Sequence, residues 1–281
     1  MVWFAAFGFA GWLFESVWAV LTQHHWESRG FLYGPICPIY GVGAVGALAI
    51  FKLLFAQFGV MPIWEVFLIC MVGSAIMEYS ISWGMEKAFG TVWWDYTNMP
   101  LNLNGRICLP ASLLFGAAGV AVVFLLMPLI SYVNALVPGF VFELLAIAIT
   151  IALTIDATLT VTDITNLLQT LNRLDSQMND RMEGIVSSVR ETREGFSSNL
   201  SDSRQAAMAQ LRETREGISS NISDSRQAAM TQLRETAMNL SGHQQAMLKN
   251  MRRFASKKTA RAAQLVQEAR STLNERREKK K

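Results

Sequence analysis

Five long apolar segments dominate the first 160 residues and decide what this chain can fold into. They lie at roughly 2–22, 36–58, 62–86, 110–131 and 138–160. A helix needs about 20 mostly apolar residues to cross the hydrocarbon core of a bilayer. Because backbone polar groups in lipid must be hydrogen bonded within the protein, each span is expected to be a helix. The sequence therefore predicts an all-α, polytopic membrane helix bundle with about five spans.

Charge separates this apolar half from the rest of the chain. Residues 1–160 carry four Lys/Arg and eight Asp/Glu, whereas residues 161–281 carry 21 Lys/Arg and 14 Asp/Glu. Loops and tails rich in Lys/Arg stay on the cytoplasmic side of a membrane. The tail is therefore predicted to be cytoplasmic, and an odd number of spans then places the N-terminus outside. The same orientation places the 23–35 and 87–109 loops on the side of the tail.

The tail has the periodicity of a long helix that packs against another helix. Arg190–Leu211 and Arg212–Leu233 are 22 residues each and match at 19 of 22 positions. Their apolar positions advance by four and then seven residues, the 11-residue period of a straight or slightly right-handed coiled coil. The seam residues are Phe196, Leu200, Leu211, Ile218, Ile222 and Leu233. Because a lipid-binding face needs a broader apolar arc, the seam favours helix packing and predicts a homo-oligomer.

These patterns divide the chain into three domains. Residues 1–160 are predicted to form the transmembrane domain, 161–248 a coiled-coil stalk and 249–281 a basic helical or disordered tail. The basic tail could lie on anionic lipid or remain solvated. It has few aromatic residues for stacking on bases, so no specific nucleic-acid partner is expected.

Two loops between the spans have chemistry that is unusual for simple connectors. Residues 29–41, the first motif loop, combine three glycines and two prolines with apolar and aromatic residues, and residues 93–110, the second motif loop, resemble them. Irregular backbone at membrane depth is tolerated only where protein or a wet cavity satisfies it. Each loop is thus either a tight connector at the interface or a turn that lines a site. The motif residues are Gly30, Tyr33, Gly34, Pro35, Cys37, Pro38, Tyr40, Gly41, Trp93, Trp94, Asp95, Tyr96, Asn102, Asn104, Gly105 and Cys108.

Acidic residues interrupt the apolar segments. Glu15 and Glu78 lie within predicted spans, where a charge at the bilayer centre costs about 2.5–3.5 kcal/mol on insertion scales. Arg29 and Arg106 are the only arginines in the first 160 residues and are therefore candidate partners. The functional interpretation is a polar pocket facing the cytoplasm and formed by these four residues. The alternative is structural: salt bridges or protonated carboxyls that hold the bundle together.

Motifs for catalysis, metal binding and nucleotide hydrolysis are missing from the sequence. There is no G-x-x-x-x-G-K-[ST], no G-x-S-x-G and no H-E-x-x-H, and the adjacent His24 and His25 lack a spaced partner set. We therefore expect no catalytic residue, no metal and no cofactor. An intramembrane enzyme that uses Glu15 or Glu78 as acid or base is the alternative class.

Several of these motifs together resemble one known family. Glu15, the first motif loop, Glu78-Tyr79, Trp93–Tyr96 and Asn102–Cys108 resemble the ABC-transporter type IV family, the CmpB-like bacterial membrane permeases, over about residues 5–170. The resemblance implies a permease of the bacterial cell membrane that works with a separate ATPase subunit. The repetitive tail departs from a compact permease. A non-transporting anchor or scaffold that oligomerises and recruits partners through its coiled coil is therefore the alternative function.

Overall fold

The computed structural model describes residues 1–23, 30–198 and 204–278. In this part of the chain, five helical stretches are long and apolar enough to span a membrane. They are Val2–Thr22, Pro38–Phe58, Ile63–Phe89, Leu109–Leu136 and the apolar part of Gly139–Glu191. The all-α membrane bundle with five spans is thus confirmed.

The helices and strands follow one another in a simple order. The helices are α1 (Val2–Gln23), α2 (Pro38–Phe58), α3 (Ile63–Phe89), α4 (Leu109–Ala121), α5 (Met127–Leu136), α6 (Gly139–Ser198), α7 (Arg204–Asn239), α8 (Gly242–Asn250) and α9 (Lys257–Glu278). A π-helical turn, Val122–Leu126, joins α4 to α5 within the fourth span. The short strands are β1 (Thr91–Val92), β2 (Asn102–Leu103), β3 (Ile107–Cys108) and β4 (Arg253–Phe254). Strand β1 pairs with β4 and β2 with β3, both antiparallel.

Prolines and glycines set the ends of the spans. Helix α2 begins at Pro38, and α4 has Pro110 in its first turn. Proline is tolerated there because an N–H in the first turn has no acceptor within the helix. Helix α3 ends at Gly90, whose left-handed φ of 65° allows its N–H to bond with the Glu86 carbonyl at 2.8 Å. This cap extends α3 to Phe89, three residues beyond the predicted end at 86.

The chain divides into two compact units. The first consists of residues 1–165 together with 242–255, and the second of residues 166–241 and 256–281. We call residues 242–255 the strap, because they return from the tail to the first unit. The core of the first unit is formed by Phe51, Val66 and Val123, which lie on α2, α3 and the π-helical turn.

Three helical segments pack together in the second unit. The side-chain amide of Gln232 on α7 donates to that of Gln177 on α6. Thr259 Oγ1 on α9 donates to Asn172 Oδ1 on α6 at 2.8 Å. Helix α6 thus has packing partners, α7 and α9, within its own chain.

The predicted seam is only partly covered by this packing. Leu233 is 4% exposed, whereas Ile222 on the same helix is 45% exposed. Leu200 and the side chains of Phe196, Leu211 and Ile218 lie outside the described residues.

A carboxylate on α6 holds the first motif loop in place. Asp156 accepts the Tyr33 N–H at 2.7 Å and the Gly34 N–H at 2.8 Å, one on each carboxylate oxygen. The Asp156 side chain is itself contacted by Thr160 Oγ1 at 3.3 Å. A Cβ added at Gly34 would lie 2.8 Å from Asp156 Oδ2, so only glycine permits this close approach. Two backbone amides and a threonine hydroxyl thereby satisfy the Asp156 carboxylate.

Substituting Gly34 is expected to destabilise the first unit. In a Gly34→Ala variant the Cβ must displace the Asp156 carboxylate and weaken two charge-assisted hydrogen bonds, at a cost of about 1–3 kcal/mol. The measurement is the apparent melting temperature of the detergent-solubilised protein, followed by size-exclusion chromatography after heating. Gly46→Ala is the matched control because nothing lies within 4 Å of its added Cβ. Equal melting temperatures for the two variants would contradict the anchoring role of Asp156.

Candidate functional site

The two motif loops meet in the first unit. The rings of Phe31 and Trp93 are 5.1 Å apart in an edge-to-face arrangement with an interplanar angle of 68°. This geometry is one that aromatic pairs prefer because the positive edge of one ring faces the negative face of the other. The sequence indicated two similar loops, and the structure brings them into contact.

The first motif loop packs directly on helix α1. The Cys37 N–H donates to the Gly8 carbonyl at 2.9 Å, and Tyr40 lies so close to α1 that a Cβ at Gly11 would be 2.2 Å from its ring. The loop backbone is therefore satisfied by protein, which is the condition for irregular structure at membrane depth. Gly41 and Pro38 lie in the first turn of α2, and Gly30 and Pro35 in the irregular stretch before it.

Two glutamates within the spans are each hydrogen bonded to a tyrosine hydroxyl. Tyr40 OH donates to Glu15 Oε1 at 2.6 Å, and Tyr96 is hydrogen bonded to Glu78. Glu78 is 3% exposed, although it lies in the third span. Each glutamate is on the first helix of a helical hairpin, and its tyrosine comes from the loop or helix that follows. We call these four residues the carboxylate–tyrosine cluster.

Electrostatics show that the two glutamates share one environment. Burial raises the pKa of Tyr96, and the nearby Glu78, Cys108 and Glu15 raise it further because they disfavour another negative charge. Burial, followed by the charge of Glu15, raises the pKa of Cys37 to about 12. The Cys37 thiol therefore stays protonated at neutral pH and is a poor nucleophile.

The cluster contains a polar atom without a partner, and a second one lies next to it in the sequence. Within the described part of the chain, Glu78 Oε2 of the cluster and the hydroxyl of Ser16, the residue after Glu15 on α1, are buried and make no hydrogen bond. Buried polar atoms are nearly always satisfied, so unpaired ones point to a functional role or to a bound species. Burying an unpaired polar atom among apolar spans raises the free energy of the folded protein.

Arg106 has a different carboxylate partner from the one that the sequence indicated. Its guanidinium forms a salt bridge with Glu86, donates to Ser82 Oγ at 3.2 Å and lies 5.5 Å from the centre of the Tyr79 ring. Arg106 thus pairs with Glu86, and Glu78 pairs with Tyr96. Arg29, the other predicted member of the pocket, lies outside the described residues.

Most polar residues of the second motif loop hold the loop itself. Asn104 and Gly105 have φ values of 55° and 68°, which are typical of the tight Asn-Gly turn of a β-hairpin. Asn102 Nδ2 donates to the carbonyls of Thr97 and Met99. The Trp94 indole donates to the Arg106 carbonyl at 2.9 Å. These contacts give the loop a defined shape and leave Tyr96 facing Glu78.

The strap joins the second motif loop through β4. Strand β4 pairs with β1 in the register Thr91↔Phe254 and Val92↔Arg253. Beside this ladder, Arg253 Nη1 is 3.9 Å from Asp95 Oδ1.

The strap also contacts the first motif loop. The His243 ring stacks on Tyr33 with a centroid distance of 3.5 Å and an interplanar angle of 16°. Tyr33 OH donates to Asp163, and His243 Nδ1 is 3.4 Å from the same carboxylate. One short segment of the tail thus touches both motif loops.

Sequence reasoning missed several of these residues. Glu86 is the last residue of the third predicted span and was not a candidate partner of Arg106. Asp163 and His243 lie in no motif, since they are 80 positions apart in the sequence. Asp156 did carry a signal, since an acidic residue in an apolar segment requires a partner. That its partners would be two backbone amides could not be read from the sequence.

The pairing of Arg106 can be tested by a double-mutant cycle. Arg106→Gln, Glu86→Gln and the double variant are expected to show a coupling energy of about 0.5–3 kcal/mol, because each single variant leaves a buried charged partner. The coupling energy is obtained from the free energies of unfolding of the four proteins, measured in mixed micelles by circular dichroism. The same cycle with Glu78→Gln is expected to be additive within about 0.5 kcal/mol. The opposite result would restore the Arg106–Glu78 pair indicated by the sequence.

Comparison with known proteins identifies the family of the membrane half. The model of the family described as "Putative ABC-transporter type IV" matches residues 2–161, more than half of the chain. The match covers all four residues of the carboxylate–tyrosine cluster and both motif loops. The chain matches no curated protein and no solved structure. With five candidate membrane helices and this match, the chain is a multi-pass membrane protein that belongs to the ABC-transporter type IV family.

Proposed function

We propose that the protein is a permease-like component of an ABC transporter that lacks an ATPase of its own and works with a separate ATPase subunit. The observation that supports this most is the carboxylate–tyrosine cluster. Placing two glutamates among apolar spans is costly, and such residues in membrane proteins mark substrate or ion pathways. The unpaired Glu78 Oε2 is the group that a transported or coupled species would contact.

The loops next to the cluster are the proposed gate or coupling surface. The strap belongs to the tail and contacts both motif loops. These contacts support an arrangement in which the tail and the loops are on the same side of the membrane. The Lys/Arg excess of the tail favours the cytoplasm, which is also the side on which an ATPase subunit works.

We propose a transport role for the cluster rather than catalysis. A nucleophile activated by a base is the usual arrangement for covalent catalysis. The thiol nearest to the cluster in the first motif loop, Cys37, is held protonated by its raised pKa. The tyrosines bond to carboxylates, which positions them to stabilise or release charge on the glutamates.

Neutralising Glu78 is expected to abolish transport without unfolding the protein. The transported compound is first identified by untargeted mass spectrometry, comparing a deletion strain with the same strain carrying the wild-type gene. Glu78→Gln and Tyr96→Phe are then expected to reduce uptake or export of that compound about tenfold or more, corresponding to about 1.4 kcal/mol or more of lost stabilisation. Membrane abundance is measured in parallel.

The matched control is Glu143→Gln, which removes an exposed carboxyl from another span. It is expected to transport like the wild type. Copurification of an ATPase subunit with the tagged wild-type protein, identified by its nucleotide-binding motif, completes the test. The proposal fails if no compound depends on the gene, or if Glu78→Gln transports normally.

The second candidate function is a membrane anchor that oligomerises and recruits partners through its stalk. It is supported by the 45% exposure of the seam residue Ile222 on a helix that already has a partner in its own chain. An apolar side chain repeated at an 11-residue period and left exposed suits contact with another copy.

The seam can be tested on the full-length protein by analytical ultracentrifugation in detergent. Ile222→Asp is expected to lower the oligomeric state, because an aspartate within a helix seam is left desolvated and unpaired. Met230→Asp is the control, since Met230 lies on the same helix with a similar exposure of 42% but outside the seam. A monomeric wild type, or equal effects of the two variants, would exclude oligomerisation through the seam.

A further inference from the structure

We propose that the edge of β1 that pairs with β4, together with Asp95 and the Tyr33 ring, is a peptide-binding surface whose intramolecular ligand is the strap. The ligand that it fits is a segment with a ring that stacks on Tyr33 and an extended end that carries a cation, as His243 and Arg253 do in the strap. The contacts between the strap and this surface support the proposed binding, whatever the function of the protein. The effect of binding on the gate rests on the proposed function.

Backbone hydrogen bonds make β1 a general acceptor for an extended segment. The Arg252 N–H donates to the Val92 carbonyl at 3.0 Å, and the Ala255 N–H donates to the Gly90 carbonyl at 2.7 Å. Thr91 Oγ1 donates to the Arg253 carbonyl at 3.0 Å. Addition of a strand to an exposed edge is a recurring mode of peptide recognition, in which the main chain provides affinity and side chains provide selectivity.

Side chains then select the sequence of the bound segment. Asp95 faces Arg253 at 3.9 Å, which favours a cation at this position of the ligand. Further along the strap, the flat ring of His243 covers Tyr33. Between these two contacts the strap buries three apolar side chains, those of Met247, Leu248 and Met251. A competing peptide must therefore include the whole segment in order to replace these contacts.

The pairing between the strap and β1 is short enough to be exchanged. The ladder has only two residues in each strand, and isolated two-stranded pairs of this size are marginal in water. The Arg253–Asp95 pair is partly exposed, at 35% and 23%, and exposed ion pairs contribute little. The ladder alone is thus weak, and the strap is kept in place by its buried side chains and by its tether, which gives it a high effective concentration.

Occupation of this surface has a consequence for both motif loops. Because the bound strap touches Tyr33 in the first loop and β1 beside the second, it holds the two loops in one relative arrangement. Release of the strap would remove that link. A partner segment with the same chemistry would therefore regulate the proposed gate by replacing the strap.

Cysteine cross-linking on the full-length protein tests the pairing. Thr91→Cys with Phe254→Cys places two thiols on directly opposed residues, whose Cβ atoms in such a pair are about 4.5–5.5 Å apart. Mild oxidation is expected to join them within one chain, as seen by mass spectrometry of the linked peptides. Val92→Cys with Phe254→Cys is the control, because neighbouring strand residues point to opposite faces and should not be joined. The native Cys37 and Cys108 are buried and remain in place.

Competition then tests whether the strap behaves as a ligand. The probe is a synthetic peptide of residues 242–256, and a peptide with Arg253 replaced by Glu is its control. Since the effective concentration of a tethered segment is of the order of millimolar, several millimolar peptide is expected to lower the disulfide yield about twofold or more. His243→Ala, which removes the Tyr33 stack, is expected to lower the required peptide concentration about threefold to tenfold.

The possible outcomes separate this inference from the proposed function, because none of them measures transport. A disulfide that forms in register and decreases with the peptide supports the binding surface. Absence of the disulfide in a protein that still elutes as a folded species overturns the pairing. A disulfide that is insensitive to the peptide, in both the wild-type and His243→Ala backgrounds, shows that the strap is a fixed strand and overturns the proposal. A disulfide between two chains overturns the intramolecular assignment.

Discussion

The inability of lipid to hydrogen bond with the protein is the constraint on which the rest of this structure depends. Every backbone polar group within the spans must find its partner inside the protein, and an unpaired polar side chain there costs free energy. Asp156 does so with the amides of Tyr33 and Gly34, and Glu15 with Tyr40. These contacts hold the first motif loop against α1 and α6. An irregular, glycine- and proline-rich loop is therefore held in one conformation by carboxylates that would otherwise be unpaired in an apolar environment.

The same constraint concentrates chemistry at one end of the bundle. The carboxylate–tyrosine cluster lies where the motif loops enter the spans, and the loops touch each other through Phe31 and Trp93. The strap reaches this region from the tail and contacts both loops. In the first unit, one connected series of contacts thus links the apolar spans, the polar cluster, the motif loops and the strap. This connection is the physical basis on which a transport role and its regulation are proposed.

Residue chemistry predicted some contacts and not others. The acidic residues at 15, 78 and 156 stand out in apolar segments, so their need for partners is visible in the sequence. The identity of those partners is not, because pairing in a bundle depends on helix rotation and loop geometry rather than on the number of available charges. Counting arginines assigned Arg106 to a polar pocket with Glu15 and Glu78, whereas the structure pairs it with Glu86 after the turn at Asn104-Gly105. His243 offered no local signal, since its partners Tyr33 and Asp163 are remote in the sequence.

The sequence by itself determined the class of the protein and the approximate position of its spans, while the third span ends three and the fourth five residues beyond the predicted ends. Hydropathy over about 20 residues is sufficient to identify a transmembrane helix, because the bilayer imposes its thickness on any chain that crosses it. Proline and glycine likewise set the limits of helices through local geometry, since α2 begins at Pro38 and Gly90 caps the end of α3. Only the tertiary structure decided which polar groups meet, how the two motif loops join, and that a strand from the tail completes a sheet with β1. These are contacts between segments far apart in the chain, and they depend on packing rather than on any local pattern.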